Sequence, residues 1–128
     1  MKTNLIDDIP EKVQEGISNF NRKENLINNL SQIFKTLSDP TRIKIIYALM
    51  NGPLCVSDIS ELLGMSQSSI SHQLALLRTQ NLIKVKRRGR RAYYSLDDAH
   101  VLCIFKDGLE HAEHKFCLLY TSPSPRDS

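Results

Sequence analysis

Residues 57–96, SDISELLGMSQSSISHQLALLRTQNLIKVKRRGRRAYYSL, decide the fold, because the hydrophobic period changes within them from helical to alternating. Ser57 is positioned as an N-cap for a short helix carrying Ile59, Leu62 and Leu63, and Gly64 suits the left-handed residue that closes it. Ser66 caps a second helix, in which Ile70, Leu74 and Leu77 form an i, i+4, i+7 stripe facing inward. Two short helices joined by a glycine-containing turn make a helix-turn-helix. After Asn81 the period becomes 2: Ile83 and Val85 alternate with Lys84 and Lys86, and Ala92, Tyr94 and Leu96 alternate on the return. Arg88 and Gly89 mark the tip of this hairpin. The expected fold is therefore mainly α with a small β-hairpin, a winged helix-turn-helix.

Upstream, Leu26, Leu30, Ile33, Phe34 and Leu37 fall at helical spacing and predict a helix over 24–37 with one stripe toward a core. Asp39 followed by Pro40 reads as an N-cap with proline at the first helical position, leading into Ile43, Ile45, Ile46, Leu49 and Met50 until Asn51 and Gly52 stop the helix. Residues 1–22 read as an N-terminal arm or helix, with Pro10 in its first turn and Ile17 and Phe20 as contacts. Residues 23–116 hold the winged helix-turn-helix and a final helix, capped by Asp97 or Asp98, through Val101, Ile104, Phe105 and Leu109. Residues 117–128 read as a disordered tail, since TSPSPRDS has no apolar periodicity. The run CLLYTSPSPRDS also resembles a translated sequencing adaptor, which would end the natural chain just after Lys115 or Phe116.

The 128 residues are 41% hydrophobic, enough for one core. No apolar stretch approaches the ~20 residues of a membrane span, and the start lacks a signal-peptide layout, so a cytoplasmic protein without a membrane partner is expected. The net charge of +3 is modest. Its distribution is not, because Lys84, Lys86, Arg87, Arg88, Arg90 and Arg91 crowd the hairpin.

On the second helix of the pair, Ser68 and His72 lie opposite the apolar stripe, flanked by Ser69 and Ser71. This small polar face can enter a major groove closely, while Gln67 and Gln73 reach bases or phosphates. Serines and glutamines also solvate ordinary surface helices. The adjacent hairpin favours the DNA reading, since Lys86, Arg87, Arg88, Arg90 and Arg91 suit flanking phosphates or a minor groove.

The run from Leu62 to Leu74, LLGMSQSSISHQL, then Leu77-Arg78, Arg87-Arg88-Gly89-Arg90 and Tyr94-Ser95-Leu96, resembles the ArsR/SmtB family of bacterial metal-responsive repressors. Leu37-Ser38-Asp39-Pro40-Thr41-Arg42 adds a further family signature, and the likeness extends over residues 25–114. It implies a homodimer with first and last helices at the interface, two reading helices and two wings on an operator palindrome, and repression relieved by an inducer.

Three of the four histidines lie on the final helix, His111 about 20° and His114 about 40° from His100 around it. Along its axis, however, His100 and His111 are about 16 Å apart, so one helix cannot close a tetrahedral site. Two antiparallel copies across a dyad would bring Asp98 and His100 of one to His111 and His114 of the other. Asp98 is about 160° off the histidine face by ideal geometry, which requires it to sit outside the regular helix. Capping by Asp97 and Asp98, and dipole-favoured histidines at the far end, are the structural alternatives.

The pattern D-x-H, ten residues, H-x-x-H is similar to the last-helix site of the family's zinc sensors. The resemblance implies Asp98, His100, His111 and His114 as ligands. Nitrogen and oxygen donors suit Zn(II), with Co(II) as a substitute. The family's other sensing site needs a thiol pair, but Leu54-Cys55-Val56-Ser57-Asp58 has serine at the second position. Cys55 is then a small buried residue, and Cys103 a packed thiol near His100.

These readings predict a repressor that leaves its operator on binding zinc, releasing an efflux or sequestration gene. The family implies a relay from His111 to a backbone carbonyl near Asn81. The alternatives are a repressor of the same fold answering a non-metal or redox signal, and a pure protein-interaction module. A zinc hydrolase is disfavoured, since four protein ligands leave no open position and no nucleophile–base pair stands out.

Overall fold

Aspartate at position 39 and serine at position 66 both start helices in the expected way. In the computed structural model, which describes residues 7–121 and the side chains of 7–114, the Asp39 carboxylate accepts from the Arg42 N–H at 3.1 Å, with Pro40 in the first turn. The Ser66 hydroxyl accepts from the Ser69 N–H at 3.1 Å. The elements run α1 Glu11–Asn21, α2 Glu24–Leu37, α3 Pro40–Leu49, α4 Val56–Leu63, α5 Gln67–Thr79, β1 Ile83–Arg88, β2 Arg91–Leu96 and α6 Ala99–Thr121. The helix α6 thus includes 117–121, assigned above to the tail. The remainder of that expected tail, 122–128, lies outside the described residues.

The chain divides into two compact units, Met1–Lys35 and Thr36–Ser128. In the first, Pro10 precedes α1 as its N-cap (φ −53°, ψ 139°) instead of occupying its first turn. Helix α1 buries no residue, and Val13, Ile17 and Phe20 are exposed. Of the expected inward stripe of α2, Leu26, Leu30 and Phe34 are 50%, 41% and 55% exposed, while Ile33 and Leu37 are half-buried. Helical spacing makes such a stripe but does not supply the surface it packs on.

The second unit holds the core. Ile45, Ile46 and Leu49 of α3, Ile59 of α4, Ile70, Leu74 and Leu77 of α5, Leu82, Ile83 and Val101 are buried together. Ile43 and Leu62, also expected inside, are exposed, Leu62 by 65%. With Tyr47, Phe105 and Leu109 they line an open apolar cavity of about 470 Å³.

Helix α4 begins earlier than Ser57 suggests. Cys55 is its N-cap, and its N–H donates to the Asp58 carboxylate at 3.4 Å, so the acid at the third helical position draws the start forward. Gly64, at φ +66°, ends the helix as expected. Helix α5 closes in a Schellman motif: Leu82 N–H donates to Leu77 carbonyl at 3.1 Å and Asn81 N–H to Arg78 carbonyl at 2.9 Å. Asn81 takes φ +57° there. We expect Asn81→Gly to leave thermal stability unchanged or higher, and Asn81→Val to lower it by about 1–2 kcal/mol in a denaturant titration.

The hairpin is antiparallel in the register Ile83↔Leu96, Val85↔Tyr94, Arg88↔Arg91. Gly89 and Arg90 make its two-residue turn, with Gly89 at φ +62° in the first central position. Leu54, just before α4, exchanges two backbone hydrogen bonds with Tyr94 (3.0 and 2.8 Å), which fixes the wing to the start of α4. Among the described residues no helix is long and apolar enough to cross a membrane.

Candidate nucleic-acid interface and metal ligands

One side of α5 is anchored by Ile70, Leu74 and Leu77, each at most 1% exposed. Its other side carries Gln67, Ser68, Ser69, Ser71 and His72, all exposed. The serines near the helix start are not equivalent. Ser66 donates its hydroxyl hydrogen to the Ser69 hydroxyl at 2.9 Å and lies 3.3 Å from that of Ser68, so Ser69 belongs to the cap network while Ser71 and His72 project beyond it. Replacing Ser66 with alanine should cost about 1 kcal/mol of stability, read from thermal unfolding.

Gln73 differs from the rest. It is half-buried, and its side-chain carbonyl accepts from Arg42 Nε at 2.8 Å. Arg42 in turn donates from Nη1 to the Thr36 carbonyl at 3.0 Å. The sequence places Gln73 among DNA contacts; the structure gives its oxygen a bracing role, joining α5 to the α2–α3 junction.

On the wing, Lys86, Arg87, Arg88, Arg90 and Arg91 are all exposed. None of them forms an ion pair with a carboxylate among the described residues. Arg88 and Arg91 stand directly opposite each other in the ladder. Like charges so placed weaken a hairpin, and an anionic partner relieves the cost.

At the start of α6, Asp98 lies just outside the regular helix and Oδ1 accepts from the N–H groups of His100 (2.9 Å) and Val101 (3.1 Å). The Val101 N–H foremost, with the His100 N–H and ring, holds the Asp98 carboxyl below the usual carboxylate range. Its other oxygen is 3.7 Å from His100 Nδ1. Capping therefore uses one oxygen and leaves the second beside the imidazole, whose side chain is 92% exposed. His111 and His114 are exposed further along α6. Among the described residues of one chain, no three His, Cys, Asp or Glu side chains come together as a metal site. Cys103, expected to be packed, is exposed.

This architecture has close counterparts. Residues 39–85 match the model of the bacterial regulatory protein, arsR family. The chain is 39% identical over 84 residues to the transcriptional repressor SmtB homolog of Synechocystis, spanning 66% of this chain and 64% of that protein. It is 41% identical over 85 residues to the HTH-type transcriptional regulator NmtR of Mycobacterium tuberculosis, spanning 66% of this chain and 71% of that one. The chain belongs to the ArsR family. A solved Mycobacterium bovis structure, described as a homodimeric winged helix-turn-helix DNA-binding domain and a possible ArsR-family regulator, superposes with a TM-score of 0.69 at 27% identity, covering 72% of this chain and 85% of that one.

Two residues of this ArsR-family chain carry more of the site than their sequence positions suggest. Arg42 orients α5 through Gln73, and its signal is the Asp39-Pro40-Thr41-Arg42 signature, which places an arginine one turn past the cap. Leu54 anchors the wing through a single bridge, too short for any periodicity to reveal.

Proposed function

We propose that this ArsR-family protein is a homodimeric DNA-binding repressor that leaves its operator when zinc binds across the dimer interface. The observation that carries the DNA reading is the two-sided α5, apolar stripe buried and Ser/His face exposed, beside a wing whose exposed cations form no ion pair with a carboxylate among the described residues. The reading helix enters the major groove with Gln67, Ser68, Ser71 and His72 toward base edges, and the wing supplies phosphate contacts. A bacterial DNA-binding repressor works in the cytoplasm.

Dimerisation is supported by what the single chain leaves uncovered: the α1 and α2 stripes, and Ile43, Tyr47, Leu62 and Ile104. Burying such a surface in a two-fold interface is the ordinary remedy. It also suits the ligand arithmetic. Asp98 and His100 are already neighbours, while His111 and His114 stand some three turns away, so two copies of α6 running antiparallel complete each set of four. Asp98 and His100 of one protomer, with His111 and His114 of its partner, would hold Zn(II), or Co(II) in its place. Exposed imidazoles and a carboxylate with one uncommitted oxygen fit that ion's donor preference. The ion, when bound, fixes the separation of the two α6 helices.

The chain's own bonds carry that constraint toward the DNA face. Asp97, adjacent to the ligand Asp98, donates its N–H to the Leu82 carbonyl at 3.0 Å, and Leu82 donates to Leu77 in the last turn of α5. Movement at the head of α6 therefore reaches the end of the reading helix through two backbone bonds, beside the Asn81 position of the expected His111 relay. Release requires zinc to bind the free dimer more tightly than the DNA complex. DNA-binding anisotropy with and without Zn(II), Co(II), Ni(II) and Cd(II) tests this reading. Weakening by Zn(II), shared by Co(II), supports it, and operator binding indifferent to every metal would sink the sensing part while leaving the DNA part standing.

A further inference from the structure

A polar pocket of about 320 Å³ lies where the wing meets the two helices of the motif, lined by Cys55, Ser57, Gln67, Arg90 and Arg91. Its floor is a buried thiol, 4% exposed, held in place from both sides. The Cys55 N–H is bonded to Asp58, and the preceding residue is locked to Tyr94. The Cys55 sulfur is 3.2 Å from the Ser57 hydroxyl and accepts from Arg91 Nη1 at 3.7 Å. A guanidinium has five N–H donors, so this contact steadies Arg91 and leaves most of its fork available.

The choice of acceptor matters. A carboxylate in that place would hold Arg91 more tightly and also neutralise it. A thiol sulfur is a weak acceptor, which restrains the long side chain while its charge stays available to another anion. Asp58, the nearby acid that also acts on Arg91, already accepts from the Cys55 N–H. Arg90 adds a second positive charge, and Gln67 brings a side-chain amide from the first residue of α5. The pocket therefore combines cationic forks with neutral donors at the N-terminal end of the helix whose outer face meets a groove.

We infer that this pocket seats one backbone phosphate of bound DNA, gripped by Arg90 and Arg91, and that Cys55 is a positioning residue that presets Arg91 for it. The inference rests on the DNA-binding reading above. The same phosphate chemistry is offered by free inorganic phosphate, and the test separates the two sources.

The full chain is titrated into a fluorescently labelled random-sequence duplex across a salt series, as wild type, Arg91→Ala, Cys55→Ala, Cys55→Ser and the Cys55→Ala/Arg91→Ala double variant. Arg91→Ala removes one phosphate neutralisation, which should lower the slope of log K against log salt by about 0.9 and weaken binding about 8-fold at ~0.1 M salt. Cys55→Ala should weaken binding about 2- to 5-fold, less than removal of the arginine itself because the charge remains. It should add nothing once Arg91 is already alanine, a coupling that a merely structural cysteine would not show. Cys55→Ser, which keeps an acceptor, should recover most of the affinity. Arg91 is exposed, so its variant keeps the test valid even if Cys55→Ala unfolds.

An unchanged slope in Arg91→Ala, or additive effects in the double variant, would overturn the assignment. So would phosphorus-NMR evidence that inorganic phosphate binds the wild type and not Arg91→Ala while the DNA slope stays the same. Failure of the wild type to bind any duplex at low salt would instead bring down the DNA-binding reading itself.

Discussion

Replacing Arg88 and Arg90 together by alanine is expected to weaken DNA binding about 60-fold at ~0.1 M salt, and to do so equally for operator and random sequence. Each phosphate neutralised by a side chain contributes about 0.9 to the slope of log K against log salt, so taking away one such charge costs about 8-fold at that salt. The two factors multiply. Both residues are exposed at the end of the hairpin, and Arg88 faces Arg91 directly across the ladder. Their removal relieves a like-charge pair and uncovers no core side chain, so the unfolding temperature should hold or rise. Anisotropy titrations at several salt concentrations, beside thermal melts, check both halves. A wing that only solvates the molecule would leave the affinity where it was.

The second large effect concerns zinc. In the wild type, zinc should weaken operator binding by a factor in the ordinary allosteric range of about 5–150, and bound operator should weaken zinc by the same factor. His100→Ala and His111→Ala should each bring that factor to about 1 while leaving metal-free DNA binding intact, since both rings are exposed and neither lies on α5 or the wing. The proposed site draws ligands from two chains, which makes a sharper experiment possible. In a mixed dimer of one His100→Ala and one His111→Ala protomer, both missing imidazoles fall in the same site. The other site keeps its full set of four. Each homodimeric variant should therefore bind zinc weakly, and their mixture should regain one tight site per mixed dimer, as counted by a competitive chelator titration. If mixing restores nothing, the ligands do not come from two chains in the proposed arrangement.

The face proposed to meet DNA is legible in the sequence because everything that makes it is local. The i, i+4, i+7 stripe of Ile70, Leu74 and Leu77 and the change of period at Ile83 lie within short windows, and backbone geometry converts each period into a face. Caps at Asp39 and Ser66 and the left-handed Gly64 follow from single side chains and their nearest neighbours. Even where a boundary moves, as at Cys55, the cause is an acid only three residues away.

What periodicity cannot supply is the identity of the surface opposite. Leu62 and Phe34 fit helical stripes as well as Ile70 does, yet Ile70 is sealed while Leu62 is 65% and Phe34 55% exposed. Gln73 reads as a surface amide until Arg42, thirty-one positions earlier, is seen to occupy its oxygen. Cys55 reads as filler until Arg91 folds back on it from the wing. The chain alone thus determined its helix-turn-helix, its hairpin and the concentration of cations there, because those follow from neighbouring residues and backbone geometry. Only the tertiary structure decided which of these side chains brace α5 and which remain exposed, because that depends on partners brought together from distant parts of the chain.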